Sequence, residues 1–224
     1  MNADLCVGFP KTKWESLSRH LDGNEKAWAE AIGVFERRMR ERYFSSIDAL
    51  FVADTKPDAS SANLNRVPSC IPGFSIMALC CLLIETLQGF RESQTNDQQP
   101  AGPCIFPSGS CIKPSAGTTQ RFIQFLRRPA FGGAFDGKIA NSFVRGIRNG
   151  ILHEAETRKW LIWRDEPVGK IAESEDDGFA LNRTLFYSAL KSEFESYLRE
   201  LRDPSNDDLR KRFKKKMSEL CKKT

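Results

Sequence analysis

Trp28, Ile32, Phe35 and Met39 recur at steps of four, three and four, with Arg37, Arg38, Arg40 and Glu41 between them. That period predicts a long amphipathic helix over residues 24 to 48, which must bury one face against a partner. Residues 74 to 90 start apolar on nearly every side and run on through Glu85, Thr86 and Leu87, the pattern of a helix buried in the middle of a bundle. Residues 92 to 117 break the periodicity: Pro100, Pro103, Pro107 and Pro114 stand among Gly, Ser, Asn and Gln, predicting a long loop that serves function or is disordered. A short helix follows over 118 to 128, and beyond Pro129, Gly132 and Gly133 a longer one over 135 to 158. Residues 160 to 163 and 170 to 181, with a turn at Asp176-Asp177-Gly178, predict a small β-hairpin. Leu185, Phe186, Leu190, Phe194, Tyr197, Leu198 and Leu201 then form a helical stripe. Asp203-Pro204-Ser205-Asn206 ends it and caps a last helix with Leu209, Phe213, Met217 and Leu220 on one side. No internal repeat is present. The sum is one domain over residues 1 to 224, an all-α helical bundle with a small β-hairpin insertion and a basic C-terminal helix at 204 to 224.

Composition supports that picture: 224 residues, 40% hydrophobic and 28% charged, can build a core. The apolar run that Glu85 interrupts is shorter than the ~20 residues of a membrane span, and the N-terminus lacks a signal-peptide layout. A cytoplasmic chain without membrane contact is expected. Seven cysteines, with Cys80 and Cys81 adjacent in the apolar run, read as buried thiols rather than a disulfide framework; a redox or metal role is the alternative. The formal net charge of +5 is concentrated at the end of the chain. Arg210, Lys211, Arg212, Lys214, Lys215 and Lys216 suit the phosphates of RNA, with a membrane surface, a protein partner or mere solubility as alternatives.

The helix over 135 to 158 changes the picture most. At ~100° per residue, Phe143, Val144, Ile147, Ile151 and Ala155 share one side, and Arg145, Asn149, His153 and Glu156 lie almost opposite. His153, one of two histidines, thus sits off the apolar stripe. A solvated polar face is the plain alternative. An Arg, an Asn and a His nevertheless offer a fixed cation, an amide and a group that exchanges protons near neutral pH. RNA phosphodiester cleavage needs these, because the ribose 2′-hydroxyl is itself the nucleophile. Neither His20 nor His153 has a Cys or carboxylate at ligand spacing, and Cys104 with Cys111 lacks a second pair, so no metal and no cofactor are expected.

Arg148-Asn149-Gly150-Ile151-Leu152-His153 resembles the signature of the HEPN superfamily, an Arg followed by a polar residue and, a few positions on, a His on a late helix. The resemblance implies a helical, commonly homodimeric, metal-independent endoribonuclease. His153 would move the proton, Arg148 would stabilise the phosphoryl charge, and Asn149 would hold substrate or orient His153; Arg145 and Glu156 are further candidates on the same face. Arg148 and His153 lie about 140° apart on an ideal α-helix, so two copies meeting at a composite site would unite them better than one. Gly146 and Gly150, four apart, offer a groove for a second helix at the dimer interface, packing within the chain being the alternative. The resemblance also implies a setting in defence or a toxin system, with an antitoxin or regulatory partner. The competing function is a catalytically inactive HEPN-like dimer that binds RNA or protein.

Overall fold

The computed structural model describes residues 4–55, 71–92, 117–164 and 169–222. The expected loop over 92 to 117 falls almost wholly outside the described residues, as do Cys104 and Cys111. The chain is mostly helical, as its periodicity predicts. In order it forms β1 (Asp4–Cys6), β2 (Phe9–Pro10), α1 (Lys11–Arg19), α2 (Glu25–Met39), α3 (Ser45–Thr55), α4 (Ile71–Glu92), α5 (Thr118–Leu126), α6 (Gly137–Phe143), β3 (Trp160–Trp163), β4 (Ala172–Glu175), β5 (Gly178–Asn182), α7 (Arg183–Arg202) and α8 (Asp207–Lys222).

Asn24 starts α2 by accepting a hydrogen bond from the Ala27 amide at 3.1 Å. One wide π-helical turn, Arg40–Phe44, joins α2 to α3, so the predicted helix runs on to Thr55. Helix α4 is the centre of the bundle and packs on α3, α5, α7 and α8. Ile76, Met77, Cys80, Cys81, Leu83 and Ile84 are fully buried on it, and burial pushes the Cys80 and Cys81 thiols up, leaving them as inert apolar groups at neutral pH. By length and composition Gly73–Glu92 could cross a membrane, but here its apolar side chains fill the bundle core.

The apolar side of the last helix is part of the core. Helix α8 is no appended tail: Phe213 and Met217 are completely buried, and the Phe213 ring lies edge-on to Phe35 at 5.4 Å and touches Trp14, Trp28 and Phe90. Trp14 Nε1 donates to Ser218 Oγ at 3.0 Å, tying α1 to α8. Where α4, α7 and the turn after α5 meet, charge replaces hydrocarbon. Arg91 bonds Glu193 and Glu200, each at 2.8 Å, under the face of Tyr197, and Arg128 reaches Glu193 at 3.1 Å.

Two small sheets complete the fold. The hairpin expected from residues 160 to 181 is really β4 with β5, while β3 joins β5 from the other side in parallel, giving the order β3-β5-β4. Parallel pairing sets Trp160 opposite Phe179, their rings stacked at 4.9 Å, and lets Trp160 meet Phe143 edge-on. Strands β1 and β2, turned at Gly8 with φ +73°, are too short to show an alternating pattern in the sequence. Arg38 donates to Leu5 O at 2.6 Å and Arg37 to Val7 O at 3.2 Å, so part of the basic face of α2 anchors this hairpin, while Arg40 forms an i,i+4 pair with Glu36.

Candidate functional site

Asp136 caps α6 by accepting from the Ile139 amide at 2.8 Å. The helix then widens into two π-helical turns, Val144–Arg148 and Gly150–Glu154. It stops there rather than at residue 158 because Ala155 enters the left-handed region at φ +56° and the Glu156 amide bonds back to Gly150 O at 3.1 Å. π-Helical winding is frequent at functional sites, and its i→i+5 hydrogen bonds bring residue i+5 more nearly above residue i. The angular gap expected between Arg148 and His153 on an α-helix is thereby reduced.

Arg148 and Asn149 form one unit: Arg148 Nη1 donates to Asn149 Oδ1 at 2.9 Å. On its other side Arg148 Nε donates to Glu85 Oε1 at 2.7 Å, joining the motif helix to α4. Glu85 was not among the candidates from sequence. The signal that could have found it is its isolation, since it is the only charged residue of α4 before Arg91. His153 is exposed, and no hydrogen bond joins it to Arg148 or Asn149 among the described residues. Next to it, Glu154 bonds Arg158, and that guanidinium, with a smaller contribution from the imidazole, holds the Glu154 carboxyl below its ordinary range. Arg145 is also exposed, but it lines a different surface, a groove shared with Lys138 and Lys159. Glu156 is exposed in the turn after the helix.

The glycine groove is corrected. Gly146 and Gly150 are buried by their own chain. A Cβ on Gly146 would stand 2.5 Å from Trp160 Cδ1, and one on Gly150 would overlap the Glu156 carbonyl oxygen. Close approach within the fold therefore accounts for both residues, and they offer no open groove to a second helix. Gly150→Leu is expected to destabilise the chain by roughly 1–3 kcal/mol or more, because a backbone oxygen cannot swing aside as a side chain can. Thermal unfolding with light scattering checks this: a dissociated but fully stable variant would return Gly150 to the dimer interface.

The basic run on α8 is corrected in part as well. Arg210 is buried and saturated, with two bonds to the Glu25 carboxylate at 2.7 and 2.8 Å, two more to Leu201 O and Arg202 O, and its guanidinium stacked on Trp28. It is a structural cation. Arg212 donates to Arg91 O at 3.0 Å and so caps the end of α4. Lys211 pairs with Asp207, Lys214 with Asp22 and Lys216 with Glu219, and Lys215 is half-buried. Among the described residues no three His, Cys, Asp or Glu side chains converge as metal ligands would.

No protein-family description, curated protein or solved structure matches the chain.

Proposed function

We propose that the protein is a HEPN-type endoribonuclease that cuts RNA by 2′-hydroxyl transesterification without a metal ion, acting as a homodimer. The observation that carries the reading is an exposed His153 one wide helical turn beyond the hydrogen-bonded Arg148–Asn149 pair. The ribose 2′-oxygen attacks phosphorus as its proton passes to a base, the bond from phosphorus to the 5′-oxygen breaks, and that oxygen takes up a proton. The products are a 2′,3′-cyclic phosphate and a 5′-hydroxyl. His153 is the proton carrier, since an imidazole can take a proton at one ring nitrogen and give it up again as general base and general acid. Arg148 meets the charge on the phosphoryl oxygens. Asn149 orients Arg148, the side chain it touches, rather than His153.

The composite site is testable by mixing. In a two-fold dimer whose sites each take Arg148 from one protomer and His153 from the other, co-refolded Arg148→Ala and His153→Ala chains regain one sound site in each heterodimer, roughly a quarter of wild-type activity. No recovery means that one chain supplies both residues. The ion pair of Arg148 with Glu85 favours a second reading, a silent dimer that binds RNA or protein, because there the guanidinium serves packing of the motif helix on α4. In that case neither RNA nor DNA is cut and the Arg148→Ala chain is merely less stable.

A further inference from the structure

The motif helix and the three-stranded sheet enclose a groove of about 370 Å³ that the reaction above does not use. Its chemistry is one-sided. Lys138, Arg145, Arg158 and Lys159 line it together with Trp160 and Phe179, and no carboxylate is among the lining residues. Lys138, Arg145 and Lys159 are exposed and form no ion pair among the described residues, whereas the cations of α8 are largely engaged with their own fold. Arg158 stands at φ +51°, a conformation where glycine or asparagine would be less strained. Its guanidinium is paired with Glu154, which is not among the residues lining the groove.

The floor is rigid and aromatic. Trp160 is pinned by its indole N–H to Ser142, by stacking on Phe179 and by its fit against Gly146. Phe179 is half-buried and carries Lys138 Nζ 6.0 Å from its ring centre. The cationic surface also has an end: the adjoining cavity shares Arg158, Lys159 and Phe179 but adds Glu175, Asp176 and Asp177 from the β4–β5 hairpin, which repel a polyanion.

We propose that this groove binds single-stranded RNA, with Lys138, Arg145 and Lys159 on successive phosphates and Phe179 against a base. The inference rests on the ribonuclease reading for the choice of RNA as the polyanion. Unpaired cations beside an aromatic face are what a single strand requires, for its bases are free to stack, whereas a duplex keeps them inside. Arg145 and Lys159 set affinity here, apart from the proton transfer at His153.

The test measures binding without cleavage. A fluorescent 2′-O-methyl RNA of mixed sequence lacks the nucleophilic hydroxyl, and its anisotropy is followed from 50 to 200 mM salt with EDTA present. The variant Arg145→Gln/Lys159→Gln is compared with Lys13→Gln/Arg19→Gln, which removes the same charge from exposed positions on α1. The groove variant is expected to bind at least about tenfold more weakly near 0.1 M salt and to lose about 1.4 from the slope of log K against log salt, two phosphate contacts at ~0.7 each. The α1 variant should match wild type. Equal loss in both variants, an unchanged groove variant, equal binding of a duplex, or no binding by wild type overturns the proposal. Cleavage of ordinary RNA by wild type is scored separately. Binding through the groove without cleavage overturns only the ribonuclease reading, and cleavage with unchanged binding by the groove variant overturns only the groove.

Discussion

Phe213→Ala is expected to lower the unfolding free energy by about 3–5 kcal/mol, and removal of residues 205 to 224 to abolish cooperative folding. Phe213 is completely buried where the rings of Trp14, Trp28, Phe35 and Phe90 meet, so truncation leaves a cavity that no single neighbour can fill. Losing the whole helix is worse. It opens those rings to water, strips the cap that Arg212 places on α4, and removes Arg210 from Glu25 and Trp28. Urea denaturation followed by circular dichroism measures both. A truncated chain with native ellipticity and a sharp transition would contradict this and show α8 to be dispensable for folding.

The Arg91→Ala chain should lose about 1–3 kcal/mol near neutral pH, the usual result of taking one hydrogen-bond partner from a buried charged group, because Glu193 then keeps only Arg128. Arg91 neutralises Glu193, which is almost wholly buried, and also holds Glu200. Burial already raises the Glu193 carboxyl, against the pull of Arg128 and Arg91, so the folded state binds its proton more tightly than the unfolded state does. Such a group costs stability as pH rises through and above the ordinary carboxylate range, and nothing well below it. Removing Arg91 enlarges that cost at neutral pH. Glu200 carries the opposite shift, held down first by its hydrogen bond to Arg91, so its stabilisation is present at neutral pH and lost as pH falls. Both effects make the deficit of Arg91→Ala larger at pH 7 than near pH 4. Paired urea titrations at the two pH values check the sign; a deficit that grows on acidification contradicts it.

The helices were legible because each carries one apolar face of constant period: Trp28, Ile32, Phe35 and Met39 all turned inward, as did the stripe on α7 from Phe186 to Leu201, whereas Leu185 at its start is exposed. Windings and partners were not. The motif helix has two π-helical turns, packed against Trp160 and the turn at Glu156, and an assumed 100° step cannot foresee them. Gly146 and Gly150 announced a close approach, but the approaching group came from residues 156 and 160 of the same chain, a contact that periodicity does not encode. Charge misled for a related reason. Six basic residues from Arg210 to Lys216 read as a face for RNA phosphates, yet Arg210 is in the core, where Glu25, distant in sequence, lies beside it in space. Conversely, Lys138, Arg145 and Lys159 are scattered over two elements and a turn, and only the fold gathers them. At the candidate site itself the motif residues were read directly, whereas the Glu85 clamp on Arg148 required the packing of two helices.

The most direct measurement is the rate at which purified protein cuts mixed-sequence RNA in excess EDTA, beside His153→Ala and Arg148→Ala chains shown to be folded. The account predicts cleavage by wild type without metal, 2′,3′-cyclic phosphate and 5′-hydroxyl ends, intact DNA controls, and a loss of ~10²–10⁴ in rate for His153→Ala. Cleavage that requires Mg²⁺, ends with 5′-phosphates, or equal rates in all three chains would contradict it.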